Sequence, residues 1–451
     1  MTNNTEQQNT HDWKDIASDK MQDEAFGGKS VWNEMTRLSI KHKSVNMGQG
    51  FPNYSEKFVM EASAKILTDR VEDDPKATQY SHSQGHPELR KAVANIFYGA
   101  DDFGYKNDDP SQGKRKISWE NEVAICNGAS GGLYNAAQAF INPGDEVIII
   151  EPFYGVYLQT FLLAGAELVY VPVKSPKEGE LPSDANGMEL DWDLFEKSFS
   201  PKTKMVVFNT PHNPTGKIFS RKEIEHVVQI MEKHPNVIMF ADEVYEKIVF
   251  NETNPHIHIA SYPGMWERTL TVSSAGKTFS ATGMKLGWLV GPQHLIKPCF
   301  LVHTYSNFCS PTPLQLGIAK AIEVAEKDNY YKYISKKYKK KRDHLVESFQ
   351  TAFGKENVLV PVSSYFVIVH IGHVPFPEKK GEKRDFAFCK WFIENYGVTG
   401  IPLSVFYSPD HASYGENYVR FAYCKDDDTL NKARERLIVF KKDFESDSLK
   451  M

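Results

Sequence analysis

The sequence predicts an α/β protein: a mostly parallel sheet between helices, followed by a smaller α/β domain. From Glu122 onward, short apolar runs alternate with helical segments, and each run is followed directly by small, polar or charged residues. Runs that are apolar on both faces are typical of a parallel sheet covered by helices on both sides. Ligands of such sheets bind beyond the carboxyl ends of the strands, so the residues there are the candidates for a site.

The apolar runs after Glu122 include VAIC, EVIII, ELVYVPV, MVVF, VIMF and LTV. Ahead of them, helical periodicity is found at residues 30–40 and 56–69. A further helix is predicted from Pro87 to Phe97, because proline suits the first turn of a helix. Residues 100–117 are charged and contain glycine and proline, which predicts an inserted surface loop.

At 451 residues the chain is long enough for two domains. We predict a disordered segment at 1–25, an N-terminal segment at 26–50 that packs with the small domain, a large domain at 51–325 and a small C-terminal α/β domain at 326–451. The small domain should hold a lysine-rich helix at 326–352, the strands YFVIVHI and YVRFAYC, and a helix near 385–395.

Composition narrows the class of protein. The net charge of −5 does not favour nucleic acid or an anionic membrane as a partner, and no apolar run approaches the length needed to span a bilayer. The five cysteines form no C-x-x-C pair, and no metal motif is found. The polar, acidic N-terminus lacks the apolar core of a signal peptide. We therefore expect a cytoplasmic enzyme, and a mitochondrial fraction stays open.

Two lysines stand out in the stretch SSAGKTFSATGMKLG. Lys277 follows the run LTV among small residues, and Lys285 comes eight residues later. Small residues beside a lysine let a bulky group approach the backbone closely. The simpler interpretation is a lysine on a solvated loop. Residues elsewhere in the chain are needed to indicate that Lys277 belongs to a functional site.

Two further positions suit anions. Gly128, Ala129 and Ser130 lie between a strand and a helix, where free backbone N–H groups favour an anion, although a simple tight turn would carry the same residues. Arg420 lies within the otherwise apolar strand YVRFAYC. Its guanidinium must therefore reach solvent or meet a buried anion, such as a substrate carboxylate.

Two strand ends carry polar side chains. Asp242 directly follows VIMFA, and a buried carboxylate there would be costly without a cationic partner; a helix N-cap is the alternative. Tyr245 could reach the same place by the local turn. Asn213 precedes Pro214, which moves it away from helical geometry and can present its amide to a cleft, although an ordinary turn also fits.

Taken in order, these motifs resemble the fold-type I pyridoxal phosphate (PLP) aminotransferases, over residues 45–437. The group they resemble most comprises kynurenine aminotransferase, glutamine transaminase K and cysteine-S-conjugate β-lyase, and among these the fungal kynurenine aminotransferases. The signatures are VNMGQGFPN, EPFYGVY, NTPHNPTGKIF, DEVYE, SSAGKTFSATGMKLGW and VRFAYCKDD.

The resemblance implies a mostly parallel, seven-stranded sheet and a role for each candidate. Lys277 would carry PLP covalently and move a proton once it is released, while Asp242 would pair with the pyridine nitrogen. Asn213 and Tyr245 would hydrogen-bond the ring hydroxyl, and Tyr154 would stack on the ring. The phosphate contacts would come from Gly128, Ala129, Ser130, Ser274, Lys285 and, across a homodimer interface, the partner subunit's Tyr80.

The resemblance also implies a substrate site. Arg420, with Asn213 and the backbone of Gly50, would bind the α-carboxylate. Trp32 and the partner subunit's Phe308 would wall the side-chain pocket. The chain departs from its relatives at Ser363–Phe366, where many have glycine before a Thr-Tyr-Phe strand, and at Cys309, where mammalian relatives tend to have histidine. These departures bear on the choice of amino acid, and the 100–117 loop has no assigned role.

The predicted activity is a ping-pong transamination. The amino group of kynurenine, or of another aromatic or large neutral amino acid, would pass to a 2-oxo acid such as 2-oxoglutarate, and kynurenine would give kynurenic acid. A cysteine-S-conjugate β-lyase or a glutamine or aromatic aminotransferase could use the same site. A non-catalytic PLP-fold binding module is the alternative from another class, and a dehydrogenase is disfavoured because no Gly-x-Gly-x-x-Gly follows a strand.

Overall fold

The structure is a computed structural model that describes residues 17–21, 26, 30–73, 75–175, 177, 180–250 and 254–449. Most of the segment predicted to be disordered, 1–25, lies outside the described residues. Its described part, residues 17–21, contains a 3-10 turn at Asp19–Met21. The helices are α1 Val31–Lys41, α2 Lys57–Asp73, α3 Pro87–Ala92, α4 Gly128–Phe140, α5 Val156–Ala164, α6 Trp192–Lys197, α7 Arg221–Glu232, α8 Ala275–Thr278, α9 Gln293–Ser306, α10 Thr312–Lys327, α11 Tyr330–Phe353, α12 Arg384–Tyr396 and α13 Asp427–Glu445.

The strands fall into three sheets. They are β1 Val45–Asn46, β2 Val123–Cys126, β3 Glu146–Glu151, β4 Glu167–Lys174, β5 Glu189–Leu190, β6 Thr203–Asn209, β7 Ile238–Asp242, β8 Thr269–Ser274, β9 Gly287–Val290, β10 Val358–Leu359, β11 Phe366–His370, β12 Val398–Thr399, β13 Ile401–Pro402 and β14 Tyr418–Ala422.

The large sheet has the strand order β2-β9-β8-β7-β6-β3-β4-β5, which confirms the predicted α/β class. Strands β4, β3, β6, β7 and β8 are parallel, whereas β9 pairs antiparallel with both β8 and β2. The predicted number of seven strands is one short of the eight described. The additional strand, β5, has two residues at the sheet edge, too few for a period-2 pattern to predict it.

The apolar character of the central strands explains their position in the sheet. Every residue of β7 and of β8 is buried, and helices pack on both faces of the sheet, so these strands form the core. The register places Asn209 opposite Asp242, and Asp242 opposite Val272. The carboxyl ends of β6, β7 and β8 therefore lie side by side at one edge.

The C-terminal part has its own antiparallel sheet, ordered β10-β11-β14-β13. Arg420 in β14 lies between Ile368 of β11 and Ile401 of β13. The N-terminal strand β1 pairs in parallel with β12, so residues 45–46 pack with this part of the chain. The lysine-rich helix was predicted from residue 326, but α11 begins at Tyr330, because Asn329 has a left-handed φ of 53° that separates it from α10.

Residues 100–117 form a mostly exposed excursion, as the sequence predicted. Tyr105 and Lys114 make an isolated antiparallel bridge within it. Phe103 anchors the excursion to the body of the protein by stacking on His258, with ring centroids 4.3 Å apart. None of the described helices is long and apolar enough to cross a membrane.

Candidate active site

A cavity of about 860 Å³ lies where β6, β7 and β8 end, between the large sheet and β14. Thirteen of the fifteen candidate residues line it. They are Trp32, Gly50, Gly128, Ala129, Ser130, Tyr154, Asn213, Asp242, Tyr245, Ser274, Lys277, Lys285 and Arg420. The remaining two, Tyr80 and Phe308, lie on the surface of this chain.

Lys277 enters the cavity from the short helix α8, directly after β8. The Ser274 hydroxyl caps this helix by accepting a hydrogen bond from the backbone N–H of Gly276, at 3.1 Å. The Lys277 Nζ donates to the carbonyl oxygen of Gly50, 3.2 Å away. Burial lowers the pKa of Lys277 to about 8, so about half of this amine is neutral at pH 8, far more than for an ordinary lysine. A neutral amine is nucleophilic, whereas the protonated amine of a solvated loop lysine is not.

Asp242 ends β7 and is 6% exposed. The Tyr157 hydroxyl donates to its Oδ2 at 2.5 Å, and the backbone N–H of Val244 donates to its Oδ1 at 3.3 Å. Burial raises the pKa of the carboxyl group to about 6, against the lowering effect of both hydrogen bonds. This arrangement suits a carboxylate that pairs with a cationic ligand group. Tyr157 was not predicted as a site residue, because no local pattern shows that it reaches Asp242, 85 positions later in the chain.

The anion-binding end of the cavity combines a helix N-terminus with a lysine. Gly128 begins α4 with a φ of +71°, and a Cβ built there would lie 3.5 Å from the Lys285 Nζ. Gly287 is packed still more closely, because a Cβ there would lie 2.7 Å from the backbone nitrogen of Ala129. These glycines hold Lys285 close to the first turn of α4, where its charge and the free N–H groups favour the same anion.

The opposite end holds the guanidinium of Arg420, which is 2% exposed. Its Nη1 donates to the Asn213 Oδ1 at 3.0 Å, and its Nη2 donates to the Gly48 carbonyl oxygen at 2.9 Å. Among the described residues, its Nε has no hydrogen-bond partner and the guanidinium forms no ion pair with a carboxylate. Burial lowers its pKa to about 10, so the group stays a cation and needs an anionic ligand.

Aromatic rings surround this guanidinium. The centroids of Phe366, Phe406 and Trp32 lie 4.2, 4.7 and 5.1 Å from its central carbon. Trp32 and Phe406 also make an edge-to-face contact at 6.0 Å. The wall formed by Trp32 was expected. Phe366 and Phe406 were not proposed as site residues, because sequence spacing alone does not indicate which strand and loop will face Arg420.

The departure at Ser363–Phe366 also lies at the site. Ser364 has a left-handed φ of 58°, and Ser363 donates a hydrogen bond from its Oγ to the Gly216 carbonyl oxygen at 2.9 Å. The Tyr365 hydroxyl donates to the Gly50 carbonyl oxygen at 2.8 Å. Gly50 therefore accepts from both Tyr365 and Lys277, and this junction was not expected from the sequence.

Tyr80 and Phe308 pack against each other outside the cavity. Their ring centroids are 4.9 Å apart in an edge-to-face arrangement, and the two residues are 81% and 53% exposed. Cys309, the second departure, follows Phe308 and is half-buried. Two large exposed rings in contact are typical of a surface that meets another protein.

Comparison with known proteins agrees with this geometry. The family model described as aminotransferase class I and II matches residues 42–437. The chain belongs to the class I and II aminotransferase family. Its curated relatives include the kynurenine–oxoglutarate transaminase of Dictyostelium discoideum, which is 37% identical over 92% of this chain and 95% of the relative. Human kynurenine–oxoglutarate transaminase 1 is 38% identical over 90% of this chain and 94% of the relative.

Solved structures extend the comparison to the fold of this aminotransferase. Bna3p of Saccharomyces cerevisiae, a proposed kynurenine aminotransferase, is 33% identical with a TM-score of 0.83, over 92% of this chain and 96% of that one. YbdL of Escherichia coli, reported with a methionine aminotransferase function, is 28% identical with a TM-score of 0.78, over 94% and 99%. These two structures are thus described with different amino donors.

Proposed function

We propose that this aminotransferase uses PLP to move the amino group of kynurenine, or of another aromatic or large neutral amino acid, to a 2-oxo acid such as 2-oxoglutarate. The observation that carries the proposal is the buried guanidinium of Arg420, which lies without a carboxylate partner among aromatic rings in the cavity of Lys277. This combination suits a substrate that has a carboxylate and an apolar or aromatic side chain.

The residues of the cavity fit PLP. The buried Asp242 carboxylate calls for a cationic N–H such as that of a pyridinium ring, and Lys285 with the first turn of α4 suits a phosphate. Tyr154 lines the same cavity, and its ring would supply a face for the cofactor ring. When bound, PLP withdraws electrons from the substrate and makes its Cα–H acidic.

The chain's own side chains then bind, orient and move protons. Lys277 would hold the cofactor through its neutral amine and, once released, would serve as the base that takes the substrate Cα proton. Asn213 and Tyr245 would hold the cofactor ring by hydrogen bonds. Asn213 also holds Arg420, so one amide links the cofactor position to the carboxylate position.

Kynurenine is the preferred donor in this proposal for two reasons. Several curated relatives at 36–38% identity are kynurenine–oxoglutarate transaminases. The rings of Trp32, Phe366 and Phe406 around Arg420 also provide stacking surface for an aromatic side chain. A β-lyase acting on cysteine S-conjugates, or a glutamine or aromatic aminotransferase, would use the same residues.

An amino-donor screen tests the proposal. Purified protein would be supplied with PLP, with kynurenine, phenylalanine, tyrosine, glutamine, methionine or aspartate, and with a panel of 2-oxo acids. We expect kynurenic acid from kynurenine and 2-oxoglutarate, with aspartate much poorer. Transamination of other amino acids without formation of kynurenic acid would exclude kynurenine as the donor, while the protein would still be an aminotransferase. Pyruvate release from a cysteine S-conjugate would identify the β-lyase activity.

We also propose a cytoplasmic homodimer, in which Tyr80 and Phe308 complete the site of the neighbouring subunit. The exposed contact between these two rings supports an interface at this place. Co-expression of Lys277→Ala and Tyr80→Ala chains tests the arrangement. The hybrid would hold one site with both native residues, so activity should recover well above that of either parent. Additive activities would contradict a shared site.

A further inference from the structure

A cluster of ionisable side chains lies just outside the cavity, on the segment that follows β7. Glu243 and Glu246 come from the turn after Asp242, and His256 and His258 from the chain that returns toward β8. One ligand atom from each of the four residues lies within 4.8 Å of the others. The sequence shows no metal motif here, because nine residues separate Glu246 from His256.

The cluster is buried and incompletely hydrogen-bonded. Glu243 is 0% exposed, Glu246 and His258 are each 6% exposed, and the His256 side chain is 6% exposed. Among the residues that the structure describes, the Glu243 Oε1, the Glu246 Oε2 and the His256 Nδ1 have no hydrogen-bond partner. Buried polar atoms are nearly always paired, so unpaired acceptors at one place call for a ligand. A cation can satisfy both carboxylate oxygens and a neutral imidazole nitrogen together.

We propose that Glu243, Glu246, His256 and His258 bind one divalent transition-metal ion of the zinc type. Imidazole nitrogens and carboxylate oxygens together suit zinc, and four protein ligands without an open position are typical of a structural site. Ligand atoms around tetrahedral zinc lie roughly 3.4 Å apart. The ligand atoms lie up to 4.8 Å apart, so metal binding requires side-chain rotations that move these atoms by about an ångström.

The existing hydrogen bonds define what metal binding must displace. The His258 Nδ1 lies 2.5 Å from the Glu243 Oε2, and its Nε2 lies 3.2 Å from the Asp101 Oδ2. The His256 Nε2 lies 3.1 Å from the same Glu243 oxygen. Asp101 also accepts from the Lys247 Nζ at 2.7 Å. Metal ligation at the Nδ1 would free the Glu243 carboxylate for the ion and leave the Nε2–H donating to Asp101. A metal-bound histidine commonly donates its other N–H to a carboxylate in this way.

The site would have a structural consequence for the catalytic segment. The Glu246 Oε1 accepts from the Ser273 hydroxyl at 2.5 Å and from the Tyr98 hydroxyl at 3.1 Å. Ser273 directly precedes Ser274, and Glu243 directly follows Asp242. A bound ion would therefore fix the ends of β7 and β8, without touching the substrate or the cofactor.

Metal analysis of the PLP-loaded enzyme tests the proposal. Protein produced with added Zn²⁺ would be dialysed against a weak chelator and measured by inductively coupled plasma mass spectrometry. We expect about one zinc per chain, and loss of one of four ligands should lower the affinity by more than about tenfold. Glu246→Gln and His256→Ala should therefore retain little zinc. His294→Ala, an exposed histidine on α9, is the matched control and should retain it.

A second measurement uses the native enzyme, so it does not depend on whether the variants fold. Native enzyme produced with Co²⁺ should show visible absorption bands of tetrahedral cobalt at wavelengths longer than those of PLP. Zinc below a tenth of an ion per chain, with no cobalt bands, would overturn the proposal. Zinc that stays bound in folded His256→Ala and Glu246→Gln would also overturn it, because the ion would then lie elsewhere.

Discussion

The Nη1 of Arg420 donates a hydrogen bond of 3.0 Å to the Oδ1 of Asn213. This bond joins the C-terminal sheet to the loop after β6, so the group proposed to bind the substrate carboxylate is held against the proposed cofactor pocket. Asn213 is itself fixed, because its backbone N–H donates to the Asn209 Oδ1 at 2.8 Å. The distance between the proposed carboxylate-binding group and the proposed cofactor pocket is thus set by a short chain of hydrogen bonds.

Arg420→Lys should lower kcat/KM for the amino acid by about 100-fold or more, since lysine cannot reproduce the two-pronged geometry of the guanidinium. The absorption spectrum of bound PLP should stay unchanged, because Arg420 does not hold the cofactor. Steady-state kinetics with kynurenine and 2-oxoglutarate would measure the effect. Arg434→Lys, a change on the surface of α13, is the control and should leave kcat/KM unaltered. Equal kcat/KM for the two variants would exclude Arg420 as the carboxylate ligand.

Tyr157→Phe removes the hydroxyl that donates to Asp242 at 2.5 Å. A hydrogen bond to a charged group contributes about 1.5–3 kcal/mol, so kcat should fall roughly 10- to 100-fold with little change in KM. Tyr333→Phe is the matched control, because it removes the hydroxyl of an exposed tyrosine on α11. A tenfold rise in KM with unchanged kcat would show that Tyr157 acts on substrate binding instead.

Lys285→Gln should weaken PLP binding, because it removes the cation beside the first turn of α4. We expect the dissociation constant to rise by about tenfold or more, as for the loss of a charge-assisted hydrogen bond. Titration of the apoenzyme with PLP, followed by absorbance, measures this. Lys297→Gln changes an exposed lysine on α9 and should bind PLP as the native protein does. Unchanged affinity in Lys285→Gln would place the phosphate elsewhere.

The pKa of Lys277, lowered by burial to about 8, predicts a pH dependence for PLP capture by the apoenzyme. Only the neutral amine attacks, so the rate should rise about tenfold per pH unit below 8 and level off above it. Stopped-flow absorbance between pH 7 and 10 would record the profile. A rate that keeps rising to pH 10 would indicate an ordinary lysine pKa.

Much of the fold, and the grouping of most candidate residues around one cavity, could be predicted from the sequence, because these residues lie where strands end. Asp242 and Lys277 come directly after apolar runs, and parallel strands bring their carboxyl ends to one edge. What the sequence did not predict depends on side chains that meet across distant segments. Tyr157 reaches Asp242 from a helix, and Tyr365 shares the Gly50 carbonyl with Lys277. Neither contact leaves a local pattern.

The eighth strand and the start of α11 were missed for local reasons. Glu189–Leu190 is too short to show a strand period. The helical pattern continues across residues 326–330, and only the left-handed backbone of Asn329 breaks it. The cluster of Glu243, Glu246, His256 and His258 was missed because its two halves meet only after the intervening chain folds back.

The most direct measurement concerns Lys277. The PLP-loaded protein would be reduced with borohydride, digested and examined by tandem mass spectrometry to locate the modified lysine. The account predicts one phosphopyridoxyl group per chain, on Lys277, and its loss together with nearly all transamination in Lys277→Ala. Modification of Lys285 or of another lysine instead, or full turnover by Lys277→Ala, would contradict it.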